Sequence, residues 1–267
     1  MGLQTPVRFR AAFALLLCFS LLPLACHKDN TNSTPAPSAP SPPPPGLEVL
    51  GLTTLASGQY NYSFVHVHSG GGLAASGAVT LNINSYLLVD AAATIYAENG
   101  YASHLGPGAA VSFLSGAGHG GKGGDGGGAP GSAGVTYDDP LNPSQMGSGG
   151  GCVISSGGGL LRVNMGSGAA TLNGTVWAAA GNCAGTSEGG ASGGTFVLVA
   201  DTINGTGLID AEGGYGGGGN AGGGGGGILL LTDHTGNFFT GSVDVAGGGG
   251  TGSGANGSAG AFHETTF

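Results

Sequence analysis

Three stretches decide how this chain is built: Leu160-Leu161-Arg162-Val163, Phe196-Val197-Leu198-Val199 and Ile228-Leu229-Leu230-Leu231. Each apolar run leads into a polar turn, namely Asn173-Gly174-Thr175, Asn204-Gly205-Thr206-Gly207 and Thr240-Gly241-Ser242 in turn. A second short strand follows, as Val176-Trp177-Ala178, Leu208-Ile209-Asp210 and Val243-Asp244-Val245. A Gly-rich run closes each unit, starting near Gly181, Gly213 and Gly247. A fixed period of about 32 to 35 residues is the mark of a stacked repeat.

Working outward, Val79-Thr80-Leu81-Asn82-Ile83, Leu87-Leu88-Val89 and Thr94-Ile95-Tyr96 read as a fourth copy, and Ala261-Phe262 opens a truncated fifth. Helical repeats are excluded, because no unit has ten Gly-free residues with 3.6 periodicity. Apolar runs such as Leu229-Leu230-Leu231 suit parallel strands buried inside a sheet. Short strands split by Gly and Asn turns therefore predict an all-β fold, a parallel β-solenoid or β-helix with Gly-rich turns and loops. Neighbouring coils would pair at about 4.8 Å.

Composition narrows the function classes. Gly accounts for 62 of 267 residues and charged residues for 7%. Disordered chains carry more charge and fewer Val, Ile and Leu runs than this. After Cys26 the basic side chains are Lys28, Lys122 and Arg162, against all 14 Asp and Glu. So cation-poor a body cannot track a phosphate backbone, which excludes nucleic acid as a partner. It is equally unsuited to gripping an anionic polysaccharide.

The N-terminus reads as an export signal. Arg8 and Arg10 supply the positive region, and Ala11 to Leu22 form an apolar run shorter than the roughly 20 residues of a spanning helix. Leu22-Pro23-Leu24-Ala25-Cys26 then resembles the lipobox of bacterial lipoproteins, with Pro23 departing from the usual Leu. That resemblance implies a signal peptide over 1–25, lipid on Cys26 and a membrane partner through that anchor. His27, a non-Asp residue after the Cys, implies the outer membrane of a Gram-negative envelope. Residues 26–46 are rich in Pro and end in Pro42-Pro43-Pro44-Pro45. At roughly 3.1 Å per residue such a tether holds a domain, here 47–267, about 60 Å from its anchor.

Two further stretches resemble the glycine-rich β-helix repeats of large bacterial and protist surface proteins. One is Tyr60-Asn61-Tyr62-Ser63-Phe64-Val65-His66-Val67-His68-Ser69-Gly70, followed by Gly100-Tyr101 and Gly106-Pro107-Gly108. The other is Gly116-Ala117-Gly118-His119-Gly120-Gly121-Lys122-Gly123-Gly124, then Tyr137-Asp138-Asp139-Pro140 and Gly147-Ser148-Gly149-Gly150-Gly151. The resemblance spans roughly residues 60–250 and implies a right-handed β-helix at a cell surface, with no catalytic residues. Asp138 stands where Gly is expected.

Cys152 and Cys183 remain after the signal and the lipid take Cys18 and Cys26. They lie nearly one repeat apart, and stacked positions fall within the Cα separation that a disulfide needs, so the pair is expected to be bonded.

The polar residues offer weaker signals. Gly120-Gly121-Lys122-Gly123-Gly124-Asp125 starts like a calcium nonapeptide but has no second copy. His66 and His68 alternate on one strand face, yet two ligands make no metal site, so neither metal nor cofactor is expected. His119 reads as a turn hydrogen-bonder, and adjacent Asp138 and Asp139 as pointing to opposite sides. Asp210 and Asp244 share a phase and read as a hydrated stripe. These features favour a non-enzymatic envelope lipoprotein, a rigid surface rod with a structural or adhesive role and a glycan or cell-surface ligand. The alternative is a carbohydrate-active hydrolase or lyase, with Asp125, Asp138 or Asp139 as carboxylates, and a third reading is ice or crystal binding on a flat face. Fold alone does not choose between them.

Overall fold

The computed structural model describes residues 42–183 and 187–266. The expectations for the signal over 1–25, for lipid on Cys26 and for the tether up to residue 41 lie outside the described residues.

Sixteen strands are present among the described residues. In chain order they are β1 (Leu47–Val49), β2 (Leu52–Leu55), β3 (Gly58–Tyr62), β4 (Val65–Val67), β5 (Gly72–Ser76), β6 (Ala78–Ile83), β7 (Leu87–Val89) and β8 (Thr94–Glu98). There follow β9 (Leu160–Met165), β10 (Ala169–Leu172), β11 (Thr175–Trp177), β12 (Thr195–Gly205), β13 (Leu208–Asp210), β14 (Ile228–Phe239), β15 (Ser242–Asp244) and β16 (Ala261–Thr266). All strand pairs are parallel. The smaller sheet runs β15-β13-β11-β8-β5-β2, and the larger follows the path β1-β4-β7-β10-β12-β9-β6-β3, with β14 and β16 beyond β12.

The all-β, parallel part of the expectation holds, whereas the solenoid is corrected. β12 and β14 are continuous strands of 11 and 12 residues, not short runs that stop at a turn. The first half of β12, from Thr195 to Val199, pairs with β9, and its second half, from Thr202 to Asn204, pairs with β10. One long strand thus joins two ladders, and the path turns back on itself through it. The eight strands on that path make a nearly closed, barrel-like parallel sheet rather than a uniform stack of coils. The alternation in Asp201-Thr202-Ile203-Asn204 is the signal that the strand continues.

Side-chain alternation fills the interior. Val79, Leu161, Phe196 and Leu229 stand in register on β6, β9, β12 and β14, and Leu81, Val163, Leu198 and Leu231 form the next row. From the smaller sheet, Leu73, Ile95, Val176 and Ile209 complete the buried cluster. Burying each large side chain stabilises the fold by about 1.5–3 kcal/mol. On the outer face, Asn61, Asn82 and Asn164 form an amide ladder with bonds of 2.9 and 3.2 Å.

The Gly-rich runs are not corners. In residues 222–227, Gly222 and Gly225 donate to Leu114 and Ala117, Gly223 and Gly226 to Ala255 and Ser258, and Gly224 and Gly227 to Gly214 and Ala211. Donors three residues apart reach the same neighbour, which is the period of a polyproline II helix. Three extended segments therefore surround this one and satisfy its backbone directly. A β-carbon on Gly223 or Gly224 would lie 1.8 Å from the carbonyl oxygen of Gly248 or Ala191. Glycine is required here by close backbone approach, and the left-handed glycines of these runs are confined to Gly128, Gly131, Gly219 and Gly252.

Cys152 and Cys183 are disulfide-bonded with Cα atoms 5.9 Å apart. The bond ties two Gly-rich segments together across 31 residues of chain.

Candidate functional site

The candidate carboxylates Asp125, Asp138 and Asp139 are held by the backbone. Asp125 Oδ1 accepts the Ala133 N–H at 2.9 Å, and the Gly131 and Ala133 amides hold its carboxyl below the usual range. Asp139 Oδ1 accepts from Leu141 in a tight turn. Asp138 accepts from the N–H groups of Ser144 and Gln145, each at 2.9 Å from Oδ2. Burial raises its carboxyl, but the facing His119 ring and the amides of Gln145, Ser144 and Asp139 outweigh this and hold it at about 2. Such an acid donates no proton at neutral pH.

His119 makes a long-range contact, not a turn bond. Its side chain is 0% exposed, and its Nδ1 lies 2.8 Å from the Gly193 carbonyl oxygen, an acceptor, so Nδ1 carries a proton. Nε2 faces Asp138 Oδ2 at 3.6 Å, and the ring lies 4.7 Å from that of Tyr137. Ser148 Oγ donates to the Tyr137 hydroxyl at 2.9 Å, and burial pushes that phenol far up. Asp138 adopts a φ of 73°, which explains why Gly is expected at this position. The ensemble locks the 137–148 loop to the Gly-rich layer. Thr195 Oγ1 and Arg162 Nη2 donate to carbonyls of the same loop, at Gln145 and Pro143.

The smaller sheet presents a different surface. Ile95, Ala97, Val176 and Ala178 point into the core, so Tyr96 and Trp177 point outward. Their register pairs them directly on β8 and β11, which places their backbones about 4.8 Å apart. Trp177 is 45% exposed. The two rings line an open groove of about 400 Å³ with Glu98, Asn99, Ser156 and Asn182. Its far wall comes from the Gly-rich layer, through Ser156 and Gly157.

Beyond Trp177 the same row continues with Asp210 and Asp244. The shared phase read from the sequence is present, but the hydrated stripe is corrected because Asp210 is 8% exposed. Burial, with Asp244 adding and the Glu212 N–H opposing, holds the Asp210 carboxyl above its ordinary value. Burial also raises Glu212, which hydrogen-bonds Tyr215 while Asp210 and Asp244 add like charge. The pairing of Trp177 with Tyr96 was missed in the sequence. Thr94-Ile95-Tyr96 and Val176-Trp177-Ala178 occupy the same position in two repeats, and that phase carried the signal.

His66 and His68 lie on β4 and just past it, with Glu48 of β1 in register with His66 and Asp90 following β7. The sequence showed the two histidines without either carboxylate, since those lie on adjacent turns of the chain.

No family model matches this chain, and neither a curated protein nor a solved structure matches it.

Proposed function

We propose that this chain is a lipid-anchored bacterial envelope protein with an adhesive role, binding uncharged glycans in the Tyr96–Trp177 groove without catalysis. The observation that carries the reading is the pair of outward aromatic rings in register on an open groove with amide, hydroxyl and carboxylate neighbours. Sugar rings place their C–H faces on aromatic surfaces, while amides and carboxylates take the hydroxyls. Glu98 at the groove and the cation-poor body favour a neutral glycan over a uronate. Export and anchorage rest on the lipobox-like segment ending in Cys26 and on the Pro-rich tether.

A glycan array and a whole-cell adhesion assay test the binding. Labelled uptake of palmitate, lost in Cys26→Ala, tests the anchor. Binding to neutral glycans that falls about tenfold or more in Trp177→Ala is the expected result. An unlabelled protein would remove the anchor and leave a secreted binder.

One observation favours a second reading, a glycan hydrolase. Asp210 and Asp244 stand in register on neighbouring strands beside Trp177, and burial raises the Asp210 carboxyl above its ordinary value. Paired carboxylates about 5 Å apart are the arrangement of retaining glycosidases. Release of reducing ends from bound glycans, abolished by Asp210→Asn, decides for that reading.

A further inference from the structure

Beyond the glycan groove, we infer that Glu48, His66, His68 and Asp90 form a binding site for a divalent metal ion of the zinc type. Three consecutive turns of chain bring the four side chains together at β1, β4 and the end of β7. His66 and His68 project on the same side, because Val65 and Val67 between and beside them are buried. The two rings are 3.6 Å apart, centroid to centroid.

Every ring nitrogen faces a carboxylate oxygen. Glu48 Oε2 lies 3.5 Å from His66 Nδ1 and 2.6 Å from His68 Nε2. Asp90 Oδ2 lies 3.1 Å from His66 Nε2 and 3.9 Å from His68 Nδ1, and also accepts the Ser69 N–H at 3.3 Å. Despite the 3.1 Å approach of Asp90, His66 Nε2 is buried without an aligned hydrogen bond.

The two rings are tilted by 33° and flanked by the Glu48 and Asp90 carboxylates. Lys122 and Arg162, the Lys and Arg of the described residues, lie on other segments. A dication bound by the two imidazole rings and by carboxylate oxygen would place positive charge between these carboxylates. Ligand atoms of Glu48, His66 and His68 lie within 4.8 Å of one another. Small side-chain adjustments bring that set to the roughly 2.0–2.2 Å bonds of zinc to nitrogen and oxygen. The close Glu48–His68 contact then opens to admit the ion between the two side chains. Nitrogen with carboxylate donors selects zinc, nickel or copper over calcium or magnesium. The ion would clamp β1, the terminal strand of its sheet, to β4 and β7.

The test is titration of the purified full-length protein, kept in detergent, with ZnCl₂ and with CoCl₂ as a visible reporter. Expected are saturable binding of one ion per chain, Co²⁺ absorption of a nitrogen- and oxygen-ligated centre, and a zinc-dependent rise in Tm. The double variant His66→Ala/His68→Ala should bind at least about 100-fold more weakly, with His263→Ala unchanged as the control. Glu48→Gln, a near-isosteric change at an exposed side chain, keeps the fold and should weaken binding about tenfold. Absence of saturable binding in the wild type overturns the site. Affinity that is unchanged in the double variant or in folded Glu48→Gln overturns it too.

Discussion

A methyl group on Gly224 would meet the Ala191 carbonyl oxygen at 1.8 Å, while one on Gly51 would meet nothing within 4 Å. Gly224→Ala should therefore cost about 3 kcal/mol or more, and Gly51→Ala close to nothing, in chemical unfolding. Equal losses would contradict the packed Gly layer. The need for glycine was legible as abundance, but not as geometry, because which backbone passes beside Gly224 is decided far away in sequence. Asp138 is the converse case. Its departure from Gly was visible in the sequence, and the cause is a left-handed backbone whose carboxylate is held by two amides and faces His119. Its carboxyl is depressed from 3.8 to about 2, so its stabilisation is complete above the ordinary value and lost as pH falls through the folded one. Wild-type melting temperatures should decline between about pH 4 and pH 2. Asp138→Asn should be less stable at pH 7 and show a shallower decline over that window.

At the scale of elements, the second strands of three repeats lie where their phase placed them, as β11, β13 and β15. Period-two burial and Asn-Gly turns are local signals, and they survive folding. The first strands outran their reading, since β12 continues through half-buried polar residues paired with β10 on one side and β14 on the other, and β14 continues past Asp233 along β12 alone. That continuation joins the two ladders and is why a uniform coil was the wrong expectation. The Cys152–Cys183 bond was legible from the two cysteines left after the export segment and their spacing, and it ties segments that also share a Ser155 Oγ–Gly181 hydrogen bond. By loop-closure entropy over its 31-residue separation it should contribute about 3–4 kcal/mol. Reduction, or Cys152→Ser with Cys183→Ser, should lower Tm by about 10 °C. A shift of a degree or two would show that the Gly layer holds these segments unaided.

For the whole molecule, the sparse cations argue against an anionic partner without any need of geometry. The groove itself was not legible, because it needs Tyr96 and Trp177 on adjacent strands and Ser156 from a different layer. The same holds for the Glu48–His66–His68–Asp90 cluster. In the cluster the two histidines are visible in the sequence and the carboxylates come from β1 and the end of β7, while in the groove the two rings meet only through strand pairing. Trp177 is the sole tryptophan of the chain and is 45% exposed in the groove, so its emission reports directly on occupancy. Titrating the protein with neutral oligosaccharides should give a saturable change in tryptophan fluorescence, with binding by calorimetry weakened about tenfold in Trp177→Ala. Fluorescence unchanged across neutral glycans that the array retains, or glycan affinity unaltered in Trp177→Ala, would contradict binding in this groove.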